Sequence, residues 1–136
     1  MEKDDLPIGI NFIITNDSNQ ILLGRRANCF GAGMYSLVGG KLKSFETIEQ
    51  CAIRELKEEI DLDVEISDLE VINLAMVITN GSWLQIGVQI KKYSGTPRIM
   101  EPNKCDDLRF FDLDDLPELF VATKPNVELF KKNKFY

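Results

Sequence analysis

The apolar positions along this chain change their period several times, and each change predicts an element of secondary structure. Ile8–Thr15 is apolar and rich in β-branched residues, the turn-forming stretch 16–19 follows, and Ile21–Leu23 resumes the apolar pattern. Two such runs separated by Asn, Asp and Ser are typical of paired strands. The beginning of the chain is therefore predicted to form a β-hairpin.

A stretch without a clear period comes next and predicts a loop followed by a short strand. Residues 25–36 mix polar and apolar types and include two glycines, which is typical of a loop. Tyr35–Val38 has strand-forming residues, and two consecutive glycines follow it. We expect this strand to end at Gly39 and Gly40.

The period of the apolar positions becomes helical after Thr47. One face carries four apolar residues, Ala52, Ile53, Leu56 and Ile60. Thr47 and Gln50 are three positions apart, the spacing of a capping box that satisfies free amide groups at the start of a helix. The pattern predicts a helix over residues 48–60.

The second half of the chain continues the alternation of strands and helices. Val71–Thr79 and Trp83–Tyr93 are strand-like and flank Asn80-Gly81, a dipeptide typical of tight hairpin turns. Three further elements are predicted: a strand at Leu108–Phe111, a short turn-helix at Asp112–Leu119 and a terminal helix at Asn126–Lys132. The elements together predict an α+β fold with a mixed β-sheet between α-helices.

Length and charge limit the classes of function. The chain has 136 residues, 44% of them hydrophobic, and domains contain about 150 residues, so residues 1–136 are predicted to form a single domain. The net charge of −6 disfavours binding to long nucleic acids, which requires a basic surface. No apolar run is long enough for a membrane span, and the chain starts with acidic residues; a cytoplasmic location is expected.

Histidine is absent and cysteine is sparse. The absence of histidine excludes Ser-His and Cys-His nucleophile pairs as well as histidine-ligated metals. The three cysteines, Cys29, Cys51 and Cys105, are far apart in sequence, which disfavours both a disulfide framework and a zinc site. Any catalysis must therefore use carboxylates, lysines, hydroxyl groups or a hard metal ion.

Three carboxylates in the predicted helix are candidates for such a metal ion. Glu55, Glu58 and Glu59 are spaced so that they project from one side of the helix. Crowded like charges repel one another, and a bound Mg²⁺ would remove the repulsion because it prefers carboxylate oxygens. The spacing alone is also compatible with an acidic helix face that contacts only solvent.

The wider sequence from Gly40 to Leu62 resolves this ambiguity. It fits the pattern G-x5-E-x7-R-E-U-x-E-E-x-G-U, in which U is apolar, at every fixed position except the last glycine, where Asp61 stands. The matching residues are Gly40, Glu46, Arg54, Glu55, Leu56, Glu58, Glu59 and Leu62. This segment resembles the Nudix box. The flanks 21–40 and 101–117 resemble nucleoside triphosphate diphosphatases of the MutT-like branch.

The resemblance implies a metal site and a catalytic set. In the Nudix family, the carbonyl oxygen of the residue matching Gly40 and the side chains matching Glu55 and Glu59 hold Mg²⁺, with Mn²⁺ as an alternative ion. Glu58 would be a further ligand or would orient the attacking water. Arg54 would form an ion pair with Glu46 that orients the carboxylates. Glu101 is at a position where relatives supply another acid, so the implied catalytic residues are Glu58, Glu55, Arg54 and Glu101.

Other residues are candidates for contacts with the substrate. Arg25, Arg26 and Lys41 could neutralise phosphates, although exposed cations in loops are equally common. Phe30, Tyr35 and Trp83 could stack on a base, although aromatic residues on strands more often belong to the core. Asp61 is expected to close the helix in the left-handed conformation, which Asp tolerates better than most residues.

The resemblance implies Mg²⁺-dependent hydrolysis of a nucleoside triphosphate to the monophosphate and pyrophosphate. One alternative is hydrolysis of ADP-ribose or another nucleoside diphosphate sugar, for which the same box would serve. Another is a catalytically silent module that binds nucleotides, which the presence of all three helix carboxylates disfavours. The expected partner is a small nucleotide rather than a long nucleic acid or a membrane, and the sequence leaves open whether the protein forms a homodimer.

Overall fold

Two β-sheets are present in the computed structural model, which describes residues 5–79 and 81–136. The strands are β1 (Ile8–Ile13), β2 (Gln20–Arg26), β3 (Tyr35–Ser36), β4 (Gly39–Lys41), β5 (Leu69–Thr79), β6 (Gly81–Ile90) and β7 (Cys105–Asp112). The first sheet has the order β4-β1-β6-β5 and is mixed, because β1 runs parallel to β6 and antiparallel to β4. The second sheet, β3-β2-β7, is antiparallel.

Two α-helices, α1 (Ile48–Ile60) and α2 (Lys124–Lys131), cover the strands, and a 3₁₀ turn lies at Ile66–Asp68. Successive residues of β2 point into two different hydrophobic cores. Leu22 belongs to the core that includes α1, whereas Leu23 belongs to the core that includes Val127 of α2. The predicted α+β fold, with mixed strand pairing between helices, is confirmed. No described helix combines the length and apolarity needed to cross a membrane.

Helix α1 begins and ends where the sequence predicts. The Thr47 hydroxyl accepts a hydrogen bond from the Gln50 amide at 3.0 Å, and the Gln50 side chain accepts one from the Thr47 amide at 2.9 Å. The predicted capping box is therefore confirmed. The buried face differs in part: Cys51 and Glu55 lie on it beside Ala52, Leu56 and Ile60, whereas Ile53 is exposed.

The predicted pairing of the first two strands is mostly wrong. β1 and β2 belong to different sheets. Among the described residues, an isolated bridge between Thr15, just after β1, and Ile21, near the start of β2, is what remains of the predicted pairing. Gly39 and Gly40 do not end a strand but form β4. A side chain at Gly39 would overlap the Ile10 carbonyl, so glycine allows β4 to lie close against β1. The preceding strand stops at Ser36.

The long hairpin predicted in the second half is confirmed as the antiparallel pair β5–β6. Its second strand ends at Ile90 rather than at Tyr93, and Asn80 of the predicted turn lies outside the described residues. The short helix predicted at Asp112–Leu119 is wrong. This segment forms turns and then runs along β3, where the Tyr35 amide donates to the Glu118 carbonyl at 3.1 Å. The terminal helix starts at Lys124, two residues earlier than predicted.

Asp61 closes α1 in the predicted left-handed conformation, with φ 59° and ψ 41°. Its carboxylate also accepts hydrogen bonds from Lys57 and Arg98, each at 2.9 Å. Both partners stabilise the charged form and lower the pKa of Asp61. The side chain therefore makes contacts that a glycine in its place would lack.

We expect Asp61→Gly to leave the urea midpoint almost unchanged, because the relief of backbone strain offsets the loss of both ion pairs. Asp61→Ala keeps the strain and loses the pairs, so we expect its midpoint to fall by about 0.5 M. Urea unfolding of both variants at equal slope tests this. Equal midpoints for the two variants would show that the left-handed conformation costs little here.

Candidate active site

A cavity of about 640 Å³, hereafter the charged cavity, opens beside the C-terminal end of α1. Its lining includes Glu59 of α1, Arg25 and Arg26 of β2, and the two residues Glu101 and Lys104 from the loop before β7. Acidic and basic groups therefore share one concave space. Such an arrangement suits a metal ion together with the phosphates that it binds.

Glu59 is the most perturbed acid of this cavity. Burial, followed by the neighbouring charge of Glu55, raises the pKa of Glu59 to about 9. Glu55 and Glu59 share a hydrogen bond, Glu101 adds a further negative charge nearby, and a hydrogen bond from the Gly39 backbone acts in the opposite direction. A cation bound between Glu59 and these neighbouring acids would offset the repulsion that raises the pKa of Glu59.

Glu55 lies behind Glu59 and is buried. Its carboxylate fills the space next to Gly40, where any side chain would overlap it. Arg54 donates a hydrogen bond from Nη1 to Glu55 at 2.6 Å. The glycine of β4 thus allows the helix carboxylate to approach the strand backbone, whose carbonyl groups are further oxygen ligands for a hard cation.

Arg54 holds three of the carboxylates that the sequence analysis selected. It donates to both oxygens of Glu46, at 2.9 and 2.8 Å, and contacts Glu58 at 3.4 Å in addition to Glu55. The guanidinium lowers the pKa of Glu46 to about 2. The Glu46–Arg54 ion pair expected from the resemblance is present, and it is bidentate.

The Glu46–Arg54 ion pair predicts that part of the free energy of unfolding is lost in acid. The folded-state pKa of Glu46, about 2, is below its ordinary value of 4.5. The stabilisation is therefore complete above pH 4.5 and is lost as the pH falls toward 2. We expect the free energy of unfolding to fall more steeply over this range in the wild type than in Glu46→Gln, as measured by urea unfolding at several pH values. Parallel curves would contradict the prediction.

The carboxylates do not form a complete metal site in this arrangement. Within residues 5–79 and 81–136, no three Asp, Glu, Cys or His side chains converge closely enough to hold a metal ion. Glu58 is exposed and directed to Arg54, which also holds Glu55. The donor set nevertheless fits a hard divalent cation, which prefers carboxylate oxygens. The raised pKa of Glu59 shows that its negative charge is unfavourable here, and a bound cation would stabilise that charge.

Glu101 reaches this region because its loop is bonded to the end of α1. The Met100 amide donates to the Glu59 carbonyl at 3.2 Å, and the Arg98 amide donates to the Ile60 carbonyl at 3.1 Å. Lys104 pairs with Glu101 at 3.5 Å. The sequence analysis selected Glu101 only by resemblance, and the structure brings it to the cavity that Glu59 lines.

A second cavity of about 370 Å³, hereafter the aromatic cavity, adjoins the first. Arg26 and Gly39 line both cavities. The aromatic cavity is lined by Phe30, Lys41, Trp83 and Phe120, and by two buried amides, Asn11 and Gln85. Phe30 packs edge-on against Phe120 with ring centroids 5.7 Å apart, and the Arg26 guanidinium lies 3.9 Å from the Phe120 centroid.

Two candidate residues for substrate contacts have other partners. Tyr35 lines neither cavity, because its ring packs on Phe111 in the core and its hydroxyl donates to Asp107. The structure therefore does not bring Tyr35 to the site at which we expected it to stack. Arg25 lines the charged cavity but is paired with Asp106 at 2.6 Å.

Asn11, Gln85 and Phe120 line the aromatic cavity but were missed by the sequence analysis. Asn11 and Gln85 are polar residues inside the apolar runs of β1 and β6. A polar residue that interrupts a buried strand is the signal that could have identified them, because such a group is costly to bury without a partner. Phe120 lies in the segment that we expected to follow a short helix.

Comparison with known proteins identifies the family of the chain. The NUDIX domain family matches residues 5–132, which include nearly the whole chain and every residue of the box. The chain belongs to the Nudix family. Nudix enzymes are hydrolases of pyrophosphate bonds that generally use a divalent metal such as Mg²⁺.

Its relatives act on different nucleotides. The oxidized purine nucleoside triphosphate hydrolase of Danio rerio is 34% identical over 113 residues, covering 79% of this chain and 68% of that protein. The NAD-capped RNA hydrolase NudC of Stutzerimonas stutzeri is 29% identical over 112 residues, covering 79% of this chain. The chain spans only 37% of the length of that NudC protein.

The solved structures agree with the sequence relatives. The crystal structure of a MutT NUDIX hydrolase from Burkholderia pseudomallei superposes with a TM-score of 0.84 at 30% sequence identity. The match covers 92% of this chain and 98% of that one. The architecture described above is therefore that of a MutT-like Nudix hydrolase.

Proposed function

We propose that this Nudix hydrolase cleaves nucleoside triphosphates to the monophosphate and pyrophosphate, with Mg²⁺ as the metal and Mn²⁺ as an alternative. The observation that carries the proposal is the contact between the two cavities at Arg26 and Gly39. A charged space beside the helix carboxylates suits the triphosphate, and an aromatic space suits the base. Residues of this one chain line both spaces, so we propose that the chain acts as a single domain.

The metal would be held by the carbonyl oxygen of Gly40 and the carboxylates of Glu55 and Glu59. When bound, Mg²⁺ supplies charge neutralisation and polarises a phosphoryl oxygen. Glu58, which is exposed beside this set, orients the attacking water or adds an oxygen ligand. Arg54 acts on the reaction by holding Glu55 and Glu58 in place.

The remaining site residues bind and position the substrate. Arg25 and Arg26 neutralise phosphate oxygens in the charged cavity, and Lys41 does so from the aromatic cavity. Glu101 adds a carboxylate to the metal or accepts a proton from the attacking water. The water oxygen forms a new bond to phosphorus, the bridging phosphorus–oxygen bond breaks, and pyrophosphate leaves with the electrons of that bond.

A second candidate is the hydrolysis of a nucleotide in which another group follows the diphosphate, such as ADP-ribose. The relatives named NAD-capped RNA hydrolase support it, because NAD also joins two groups through a diphosphate. The net charge of −6 argues against a long RNA substrate, since it gives no general attraction to a phosphate backbone. The triphosphate proposal is supported by the oxidized purine nucleoside triphosphate hydrolase of Danio rerio, because the match to this chain covers 68% of that protein.

A substrate panel tests the proposal. Nucleoside triphosphates, ADP-ribose, NAD and GDP-mannose are incubated with the purified chain and Mg²⁺, and the products are separated by chromatography. We expect monophosphate and pyrophosphate from the triphosphates and no turnover in excess EDTA. Cleavage of only the diphosphate-linked substrates would favour the second candidate, and nucleotide binding without cleavage would indicate a silent module.

A further inference from the structure

The floor of the aromatic cavity contains a pair of amides that the reaction chemistry does not require. Asn11 Nδ2 donates a hydrogen bond to Gln85 Oε1 at 2.6 Å. Both side chains are buried and both line the cavity. Two polar residues at the bottom of a space with aromatic walls are typical of a site that reads the edge of a planar ring.

Glycines allow this pair to form. Gly9 is the register partner of Gln85 in the parallel β1–β6 pairing, and a side chain at Gly9 would overlap the Gln85 amide. The Gln85 side chain therefore lies across β1 and meets Asn11, which is on the same face of that strand. The glycine at position 9 therefore provides the space that the Gln85 side chain occupies beside Asn11.

The hydrogen-bonding groups of the pair are only partly used. Among the described residues, Asn11 Oδ1 and Gln85 Nε2 make no hydrogen bond, and neither is a fully buried atom without a partner. An acceptor and a donor are therefore free at the cavity wall. A concerted rotation of both amides would exchange their positions, because each amide carries one carbonyl oxygen and one NH₂ group.

We propose that Asn11 and Gln85 determine base specificity by binding the edge of the base, and that the pair accepts both 6-keto and 6-amino purines. This inference rests on the proposed function, in which the aromatic cavity holds the base. Both kinds of purine present an acceptor beside a donor, in opposite order, and the pair matches either order after rotation. Phe30, Trp83 and Phe120 would supply stacking surfaces for the ring.

The wild-type enzyme provides the first test. We expect kcat/KM for ATP and GTP to differ by less than about tenfold, because the pair satisfies both edges. A preference of more than about a hundredfold for either would overturn the inference, since that ratio requires a fixed order of donor and acceptor.

The second test uses variants in which one residue of the pair can only accept hydrogen bonds. In Asn11→Asp and in Gln85→Glu, the mutual hydrogen bond leaves two oxygens facing the cavity, which match the adjacent N1–H and N2–H donors of guanine and repel the N1 acceptor of adenine. We expect the ratio of kcat/KM for ATP over GTP to fall about ten- to a hundredfold in both variants. A general loss of activity from the added charge cancels in this ratio.

Gln89→Glu is the matched control, because it makes the same change on the same face of β6 at a residue that does not line the cavity. We expect its ratio to equal that of the wild type. An unchanged ratio in either folded cavity variant would overturn the inference, as would an equal shift in the control.

Diphosphate-linked substrates separate this test from that of the proposed function. ADP-ribose and GDP-mannose carry the same two bases, so the ratio can be measured with them as well. Inert triphosphates with active diphosphate sugars would contradict the proposed function and would still test the amide pair. Absence of cleavage and of binding for all four nucleotides would contradict both.

Discussion

Glu59→Gln is expected to reduce kcat by about a hundredfold or more at saturating Mg²⁺ while the protein remains folded. The substitution removes a charged oxygen from the charged cavity, where the proposed metal ligands meet. It keeps the shape of the side chain, and at pH 7 the raised pKa, about 9, means that the metal-free protein already holds this group neutral. We therefore expect a free energy of unfolding at pH 7 equal to or above that of the wild type.

Steady-state kinetics and urea unfolding measure the two effects separately. Glu49→Gln is a suitable control, because it makes the same change in the first turn of the same helix. Glu58→Gln should show a loss similar to that of Glu59→Gln if Glu58 orients the water. Near wild-type turnover in Glu59→Gln would refute the proposed metal site, and near wild-type turnover in Glu58→Gln alone would remove only Glu58 from the mechanism.

Arg54→Met is expected to cause the largest loss of stability, about 3 kcal/mol. The variant keeps much of the aliphatic packing but leaves Glu46 and Glu55 without the cation that compensates their charges. Both side chains are largely shielded from solvent, with exposed fractions of 13% and 11%. A partly buried carboxylate without a partner is much more costly than a lost surface ion pair.

Urea unfolding at pH 7 measures this loss. Lys57→Met on the same helix is the matched control, because Lys57 is itself exposed where it pairs with Asp61 and Asp63 and should change the midpoint little. In Arg54→Met, a further Glu46→Gln substitution should restore part of the stability by removing one of the two uncompensated charges. A loss no larger than that of the control would show that Arg54 orients the carboxylates without stabilising the fold.

The parts of the fold that depend on nearby residues agree with the sequence analysis. The bounds of α1 are as predicted because Thr47 and Gln50 cap each other three residues apart, and Asp61 ends the helix through its own backbone conformation. The β5–β6 hairpin also joins strands that are adjacent in sequence. Such features are local, so a short stretch of sequence contains all the interacting groups.

The parts that depend on distant residues agree less well. The sequence could not indicate that β1 pairs with β6 rather than β2, because the choice depends on which strands bury the residues facing α1. Residues 112–119 do not form the predicted short helix, but form turns and then reach β3, where the Glu118 carbonyl accepts a hydrogen bond from the Tyr35 amide. In both cases packing overrides local preference.

The candidate site shows the same division. The spacing of the box, by resemblance, selected Gly40, Glu55 and Glu59, and the structure places these residues together. Only the structure shows that Glu55 is buried against Gly40, because the direction of a helix face is set by what packs on it. The burial matters chemically, since it crowds Glu55 and Glu59 and raises the pKa of Glu59.

The sequence by itself thus determined the family, the limits of the central helix and the identity of its acidic residues, because each is encoded by types and spacings within one segment. The tertiary structure alone decided which residues surround the substrate spaces. Asn11 and Gln85 are 74 positions apart and meet only because β1 lies beside β6, where Gly9 leaves room for the Gln85 side chain. A contact of this kind depends on strand pairing and register, which many distant residues determine together.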